Sequence, residues 1–192
     1  MKNITNPNAI DDIKLIIFDV DGVLTDGKKT YDTKGQKISK SFGDLDFTAI
    51  KILQSFGFKV VWLSGDEVVN EPLAVIKSIP FYCTRLSDGS NQDKILLLPS
   101  ILNFFSLSKE QVWFVGDDIF DLNIIRNVGF SSCPANASFL VKREVDLVHN
   151  SKSGESVASE ILELLFDHHQ FRDVNIPSIL ENQNKEGQRN KK

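Results

Sequence analysis

Residues 14–25 read KLIIFDVDGVLT, an apolar run that ends in two aspartates and a glycine. A run of this kind, rich in Ile, Val and Phe, predicts a strand buried on both faces over Lys14 to Val20. Similar short runs recur along the chain and alternate with longer segments of helical period, which is the pattern of βαβ units. We therefore predict a single-domain α/β fold with three layers around a central parallel sheet.

The remaining strands and helices follow from the same alternation. The strands are predicted at Lys59–Leu63, Pro80–Cys83, Gln111–Val115, Gly129–Ser132 and Asp146–Val148. The helices are predicted at Leu45–Phe56, Asn70–Ser78, Gln92–Phe105, Ile119–Asn127, Ser138–Arg143 and Glu155–Phe166. Pro72 suits a first helical turn, whereas Pro99 should bend or split its helix. Segments 28–31 and 37–42 flank a polar turn and predict a β-hairpin inserted after the first strand.

The composition limits the function classes. With 192 residues, 41% of them hydrophobic, the chain can form one buried core, which we place at residues 13–166. Residues 1–12 are predicted to be an extension, and the polar segment 167–192 a disordered tail. The net charge of -4 predicts no binding to nucleic acid or anionic membranes. We see no apolar span and no secretory leader, and we therefore expect a cytoplasmic protein. Cys83 and Cys133 are accordingly expected to be reduced thiols at strand ends.

Acidic and polar residues follow three of the predicted strands. Asp19 and Asp21 follow the first strand, 64–66 (Ser-Gly-Asp) the second, and 116–118 (Gly-Asp-Asp) with Asp121 the fourth. In an open parallel sheet the ligand crevice lies at the carboxyl ends of the strands, so these groups should converge there. Converging carboxylates repel one another unless a cation lies between them, and an all-oxygen ligand set suits Mg²⁺.

These residues carry a resemblance to a known family. The pattern Asp19-x-Asp21-Gly22-Val23-x-Thr25, followed by Ser64, Lys94 and Gly116-Asp117-Asp118-x-x-Asp121, resembles the four motifs of the haloacid dehalogenase superfamily of phosphohydrolases, in the same order. The resemblance extends over about residues 13 to 166. It implies a magnesium-dependent phosphatase that forms an aspartyl-phosphate.

The resemblance assigns two catalytic carboxylates, and physical chemistry supports both. Asp19 would be the nucleophile, because it can present one oxygen to phosphorus and the other to the metal. Asp21, two residues further on, would protonate the leaving oxygen and then activate the water that cleaves the acyl-phosphate. Its backbone carbonyl would also reach the metal.

The remaining site residues would bind phosphate and metal. Lys94 would hold the nucleophile and the phosphate by charge, while Ser64 and the Gly65 amide would donate hydrogen bonds to the phosphoryl oxygens. Asp117 would complete the metal site with Asp19 and Asp21. Asp118 and Asp121 are predicted either to support these groups from behind or to serve as a weaker ligand.

Each feature also has an ordinary explanation. Asp-Gly pairs mark turns, Ser64 could be a helix N-cap, and a lone lysine is usually solvated. Four such features in order at one sheet edge favour the catalytic interpretation, because independent turns have no reason to align. Other residues receive structural roles: Asp66, Asp88 and Asp93 are predicted to be solvated or capping, and Phe18, Trp62 and Trp113 to lie in the core.

The spacing of the motifs predicts no cap domain. The segment between Thr25 and Ser64 has room for the hairpin and one helix, and the segment from Ser64 to Lys94 for little more than a helix and a strand. A small phosphorylated metabolite in an open crevice needs a further wall. We therefore expect a homo-oligomer, in particular a tetramer, in which a neighbouring subunit closes the site and the hairpin builds the contact.

The stretch 19–27, DVDGVLTDG, followed by a hairpin, is especially similar to the 3-deoxy-D-manno-octulosonate 8-phosphate phosphatase family. This resemblance implies homotetramers whose hairpins pack together, and an acidic eight-carbon or sialic-type nine-carbon sugar phosphate as substrate. The chain departs from the family at Asp66, where the family usually has arginine, at 46–50 and in the short segment 153–155. Exchanging an arginine for a carboxylate predicts weaker binding of an anionic sugar acid.

Three other interpretations remain open from the sequence. A receiver-type signalling domain would also have a parallel sheet, acidic residues, a Ser or Thr and a lysine, but would hold an aspartyl-phosphate without turnover. The position of Asp21 beside the acceptor argues against it. A haloacid dehalogenase-type phosphatase could act on a different metabolite. A catalytically silent scaffold is disfavoured by the complete set of site residues.

Overall fold

The predicted first strand lies at the centre of the sheet. In the computed structural model, which describes residues 10–167 together with Pro177 and Glu181, this strand is β1 (Leu15–Asp19), and all five of its residues are buried. It pairs in parallel with β4 (Lys59–Ser64) on one side and with β6 (Val112–Val115) on the other. The two predicted extensions, 1–12 and 167–192, lie largely outside the described residues.

Three shorter strands complete the sheet. They are β5 (Phe81–Cys83), β7 (Phe130–Cys133) and β8 (Leu147–Val148), and the strand order is β5-β4-β1-β6-β7-β8. Every pair is parallel, which requires crossover connections that pass over the faces of the sheet. Cys83 and Cys133 end their strands and form no disulfide, as predicted.

Helices cover both faces of this sheet. They are α1 (Asp44–Ser55), α2 (Glu67–Ile76), α3 (Leu98–Phe105), α4 (Leu122–Ile125), α5 (Phe139–Glu144) and α6 (Val157–Asp167). Alternate residues of β1 point to opposite faces: Ile16 and Phe18 pack in a cluster with α1 and α6, and Leu15 and Ile17 in a cluster with α3 and α5. The predicted three-layer α/β fold is confirmed.

The predicted hairpin is present and is attached to the core. Its strands are β2 (Thr30–Tyr31) and β3 (Lys37–Ser39), which pair antiparallel. The Asp32 carboxylate closes the turn by accepting hydrogen bonds from the backbone N–H groups of Lys34 and Gln36, both at 2.8 Å. After β3, the Phe42 ring stacks on Trp62 with ring centroids 5.9 Å apart. Trp62 is fully buried, as are the other two predicted core aromatics, Phe18 and Trp113.

Two helix predictions involving proline have different outcomes. Pro99 splits its segment into a 3-10 turn at Lys94–Leu97 and helix α3, as predicted. Pro72 was predicted in a first helical turn, which is wrong, because α2 already begins at Glu67 and Pro72 lies in its interior. Because proline has no N–H, the carbonyl of Val68, four residues before Pro72, has no helical donor. Val68 is exposed to water.

No cap domain is inserted in the described chain. Between β1 and β4 it holds the hairpin and α1, and between β4 and β5 it holds α2. Within residues 10–167, with Pro177 and Glu181, no helix has the length and apolar character needed to cross a bilayer.

Candidate active site

A cleft of about 510 Å³ lies at the carboxyl ends of β1, β4 and β6. All of the predicted site residues line it: Asp19, Asp21, Ser64, Gly65, Lys94, Asp117, Asp118 and Asp121. They reach it from separate parts of the chain because parallel strands end at the same edge of the sheet. The predicted convergence of these residues is therefore what the structure shows.

Lys94 is the counter-charge of the predicted nucleophile. Its Nζ lies 2.9 Å from Oδ1 of Asp19 and 2.6 Å from Oδ1 of Asp121. Burial raises the pKa of Asp19 to about 7, with Lys94 opposing the rise and Asp121 adding to it. For Lys94, burial lowers the pKa, but the charges of Asp121 and Asp19 outweigh it and raise the pKa. The lysine therefore stays charged. Among the described residues, the partners of Asp19 are Lys94 and the N–H of Val20, and both contact Oδ1.

Three carboxylates form a group that could hold a divalent cation. Oxygens of Asp19, Asp117 and Asp121 all lie within 4.8 Å of one another. The buried Oδ1 of Asp117 has no hydrogen-bond partner among the residues that the structure describes, which is costly for a buried carboxylate unless a cation or a proton compensates it. Burial, followed by the charges of Asp19 and Asp121, raises the pKa of Asp117 to about 8. An all-oxygen cluster of this kind fits Mg²⁺.

Asp121 and Asp118 organise the loop that presents Asp117. Oδ2 of Asp121 accepts hydrogen bonds from the backbone N–H groups of Asp117 at 2.9 Å and Asp118 at 3.1 Å. The Asp118 carboxylate accepts from the N–H of Ile119 at 2.6 Å and caps the short helix that follows. Because both oxygens of Asp121 are already engaged, its geometry suits a supporting residue better than a metal ligand.

Gly22 allows the first and fourth motifs to approach. Its backbone has a φ of +96°, and a Cβ at this position would lie 2.2 Å from Oδ2 of Asp117. A side chain here would therefore push the carboxylate away. The glycine after Asp21 is required both by the turn and by the space that Asp117 occupies.

The carboxylate of Asp21 lies in a network of polar side chains on the other side of the cleft. Its Oδ2 accepts hydrogen bonds from Ser64 Oγ at 3.3 Å and Asn70 Nδ2 at 3.4 Å. Lys40, which follows β3, approaches both oxygens, at 2.7 Å from Oδ1 and 2.9 Å from Oδ2. Ser64, predicted to bind phosphate, thus lies at the cleft but points its hydroxyl at Asp21.

The prediction that Asp66 is solvated or capping is wrong. Its side chain is 7% exposed and makes no capping hydrogen bond, although it precedes α2. It contacts Lys37, and its Oδ2 lies 2.5 Å from Lys40 Nζ and 3.8 Å from Lys29 Nζ. Burial raises the pKa of Asp66, but hydrogen bonds from Lys37 and Lys40 outweigh it and lower the pKa to about 2. Asp93, by contrast, caps its helix as predicted.

Two residues of the site, Lys40 and Asn70, were not predicted from the sequence. Asn70 is fully buried, and its side chain contacts Ser64, Asp21 and Lys40. A possible signal was the position of Asn70 one helical turn beyond Asp66, on the face of α2 that follows the second motif. For Lys40 the sequence carried no signal, because the direction in which the hairpin folds decides what its lysines contact.

Comparison with known proteins agrees with this geometry. A family model described as haloacid dehalogenase-like hydrolase matches residues 74–161. The 3-deoxy-D-manno-octulosonate 8-phosphate phosphatase KdsC of Haemophilus influenzae is 31% identical over 158 residues, which cover 81% of this chain and 84% of that protein.

Solved structures of similar proteins share the fold. The cobalt-bound form of the deoxy-D-mannose-octulosonate 8-phosphate phosphatase from Haemophilus influenzae superposes with a TM-score of 0.75 at 30% identity, covering 83% of this chain and 90% of that one. The 3-deoxy-D-manno-octulosonate 8-phosphate phosphatase from Yersinia pestis superposes with a TM-score of 0.77 at 26% identity, covering 88% of each chain. The chain therefore belongs to the haloacid dehalogenase-like hydrolases, as a capless phosphatase that resembles the 3-deoxy-D-manno-octulosonate 8-phosphate phosphatase family.

Proposed function

We propose that this phosphatase is a magnesium-dependent phosphomonoesterase that forms an aspartyl-phosphate on Asp19. The observation that carries the proposal is the floor of the cleft, where Lys94 bridges Asp19 and Asp121 while Asp117 keeps a buried oxygen without a partner. A carboxylate nucleophile, a fixed ammonium group and an uncompensated carboxylate together suit transfer of a doubly charged phosphoryl group.

Mg²⁺ would be held by the carboxylates of Asp19 and Asp117 and the backbone carbonyl of Asp21. When bound, it neutralises charge on the phosphoryl oxygens and on the surrounding carboxylates. The donor set is all oxygen, which is the set that Mg²⁺ prefers, whereas zinc prefers imidazole and thiolate ligands. The cobalt in the similar Haemophilus influenzae structure supports a divalent-metal site in this fold.

The side chains account for both chemical steps. In the first, an oxygen of Asp19 forms a bond to phosphorus, the bond to the leaving oxygen breaks, and Asp21 gives that oxygen a proton to release an alcohol. In the second, water attacks the same phosphorus, Asp21 takes the proton from the water, and the bond to Asp19 breaks to release inorganic phosphate. Lys94 balances charge on Asp19 throughout.

For the substrate we propose an acidic sugar phosphate, either 3-deoxy-D-manno-octulosonate 8-phosphate or a sialic-type relative. The similar curated phosphatase supports it. The contacts of Asp66 also weaken the argument against an anionic substrate, because Lys37 and Lys40 pair with its carboxylate. With Lys29 nearby, three lysines lie beside Asp21 and Asp66, so this side of the cleft is not dominated by negative charge.

The test is a phosphate-release screen of the purified protein against sugar phosphates and sugar acid phosphates, with Mg²⁺ or with excess chelator. We expect Mg²⁺-dependent release that is fastest with a sugar acid phosphate and absent from Asp19→Asn, since an amide cannot act as the nucleophile. Trapped phosphoenzyme should be absent from the same variant. Wild-type rates from Asp19→Asn on p-nitrophenyl phosphate would refute the mechanism, and a preference for neutral sugar phosphates would refute the substrate class alone.

A further inference from the structure

We propose that Lys40 is a positioning residue for the phosphatase reaction, holding the carboxylate of Asp21 in the orientation needed for proton transfer to the leaving oxygen. The inference rests on the role of Asp21 in the proposed function. It assigns a catalytic purpose to the hairpin, because Lys40 directly follows β3 and brings the hairpin to the acid/base residue.

Three side chains surround the ammonium group of Lys40, which donates hydrogen bonds to Asp21 and Asn70 and forms an ion pair with Asp66. The ammonium group lies 2.7 Å and 2.9 Å from the two oxygens of Asp21, 2.5 Å from Oδ2 of Asp66 and 3.0 Å from Oδ1 of Asn70. Its side chain is fully buried, at 0% exposure. A buried ammonium is tolerated only when its three donors find partners, and here three different side chains supply them.

Neutralising Asp66 alone does not explain this arrangement. Asp66 already contacts Lys37, which is a partner from the same hairpin. Lys40 instead lies between Asp66 and Asp21 and is close to both oxygens of Asp21, so rotation of that carboxylate would break at least one contact. Ser64 and Asn70 hold Oδ2 from other sides. Asp21 therefore has three close neighbours, of which Lys40 is charged, while the ammonium group of Lys29 lies further from it, at 3.8 Å from Oδ2.

The role predicts a dependence on the leaving group. An acid that donates a proton matters most when the leaving oxygen is basic, and least when it departs easily as an anion. Phenyl phosphate and p-nitrophenyl phosphate have nearly the same shape, but p-nitrophenolate is the better leaving group. The ratio of kcat/KM for the two compounds isolates the first step, transfer of the phosphoryl group to Asp19.

The experiment compares Lys40→Met with Asp21→Asn, the double variant, and Lys28→Met as a matched control. Lys28 lies near the start of the hairpin segment, its side chain is 87% exposed, and it forms an ion pair with Asp26. We expect Lys40→Met to lower the phenyl to p-nitrophenyl ratio about 10-fold and Asp21→Asn about 100-fold, with Lys28→Met unchanged. The double variant should be no worse than Asp21→Asn, because Lys40 acts through Asp21.

Each alternative outcome has a separate meaning. A rise in KM with an unchanged ratio would show that Lys40 binds substrate and would overturn the proposal, as would additive effects in the double variant. An unchanged ratio in Asp21→Asn would instead refute the acid/base role of Asp21 in the proposed function. If Lys40→Met does not fold, Asn70→Ala is measured in its place. This variant keeps Lys40 but removes the side chain that accepts one of its hydrogen bonds, and a phenyl to p-nitrophenyl ratio equal to wild type would overturn the proposal.

Discussion

Gly22 controls the position of the Asp117 carboxylate although it has no side chain. Its φ of +96° and the 2.2 Å that would separate a Cβ from Asp117 Oδ2 predict that Gly22→Ala displaces this carboxylate. We expect the affinity for Mg²⁺ to fall by about 10- to 100-fold. The affinity is measured from the rise in melting temperature as Mg²⁺ is titrated. Gly27→Ala is the matched control, because its φ is also positive, at +77°, while its nearest neighbour would be 3.8 Å away. Equal losses in both variants would trace the effect to backbone strain alone.

Asp19 and Asp117 predict how pH affects metal binding. Their pKa values are raised to about 7 and about 8, so without metal the folded protein holds protons that the unfolded chain has lost. Its stability should therefore fall as pH rises from about 4 through about 8, since the folded state binds more protons over that range. Mg²⁺ replaces those protons, and its stabilising effect should be larger at pH 8.5 than at pH 6.

The measurement is the melting temperature with and without Mg²⁺ across this pH range. Asp117→Asn is the control, because it removes the group with the higher pKa and should flatten the pH dependence of the Mg²⁺ effect. A stabilisation that is the same at both pH values would contradict the idea that protons and metal compete for these carboxylates.

At the scale of elements, α6 depends on Glu160 for its connection to β8. The Glu160 carboxylate accepts hydrogen bonds from the N–H groups of Asn150 at 2.9 Å and Ser151 at 2.9 Å, and lies 3.5 Å from Nδ1 of His149. Burial raises the pKa of Glu160, but the neighbouring His149 and the hydrogen bonds from the N–H groups of Asn150 and Ser151 outweigh it and lower the pKa to about 2. A lowered carboxylate pKa stabilises the fold above about pH 4.5, and this stabilisation is lost as pH falls towards 2.

Glu160→Gln should therefore lower the melting temperature at pH 7 by about 3 to 10 °C. The difference from wild type should shrink between pH 5 and pH 3, because the unfolded chain binds a proton at Glu160 in this range while the folded protein, with a pKa of about 2, does not. Glu163→Gln, on the exposed side of the same helix, is the control and should change little. A difference that persists unchanged at pH 3 would show that the hydrogen bonds do not depend on the charge.

The elements themselves could be read from the sequence better than their contacts could. Runs such as 14–20 are apolar throughout because both faces of the sheet are covered, and this gave strand positions to within one or two residues. Pro72 was misplaced because the boundary of α2 depends on Glu67 continuing the helix upstream, where periodicity is weak.

The carboxylate cluster was also predictable, whereas the lysine network was not. Asp19, Asp117 and Asp121 follow strand ends, and strand ends converge in any parallel sheet. Lys40 and Asp66 are far apart in sequence and meet only because the hairpin folds towards α2. No local pattern encodes that direction, so Asp66 was predicted to be solvated or capping, whereas it is a buried ion-pair partner.

At the scale of the whole molecule, the open cleft leads us to propose a homo-oligomer, in particular a tetramer. No cap domain lies over the cleft in the described chain, and the hairpin exposes Tyr31 at 55% and Ile38 at 58%. A two-stranded ribbon with exposed apolar residues is stabilised by packing against something, and a symmetric neighbour can supply that packing and a wall for the site. The alternative is a monomer whose own hairpin shields the cleft, since its lysines already contact Asp21 and Asp66.

Replacing Tyr31 and Ile38 with serine separates the two cases, because the hairpin lysines remain. We expect light scattering to show a smaller species for this double variant, with reduced activity on the small substrate. Val75→Ser, which replaces an apolar residue 70% exposed on α2, is the control and should leave the assembly intact. A wild-type protein that is a fully active monomer at assay concentration would rule out the shared site while leaving the aspartyl-phosphate chemistry untouched.

The central position of β1 has a consequence for biosynthesis. Leu15, at its start, pairs with Lys59 on one side and Val112 on the other, so the ribosome makes β1 before either of the strands that pair with it. Asp19 gains its lysine and its neighbouring carboxylates only after Asp121 has been translated and β6 has inserted. Until β6 is made, the nascent chain holds a strongly apolar strand with at least one edge unpaired, and such an edge favours aggregation.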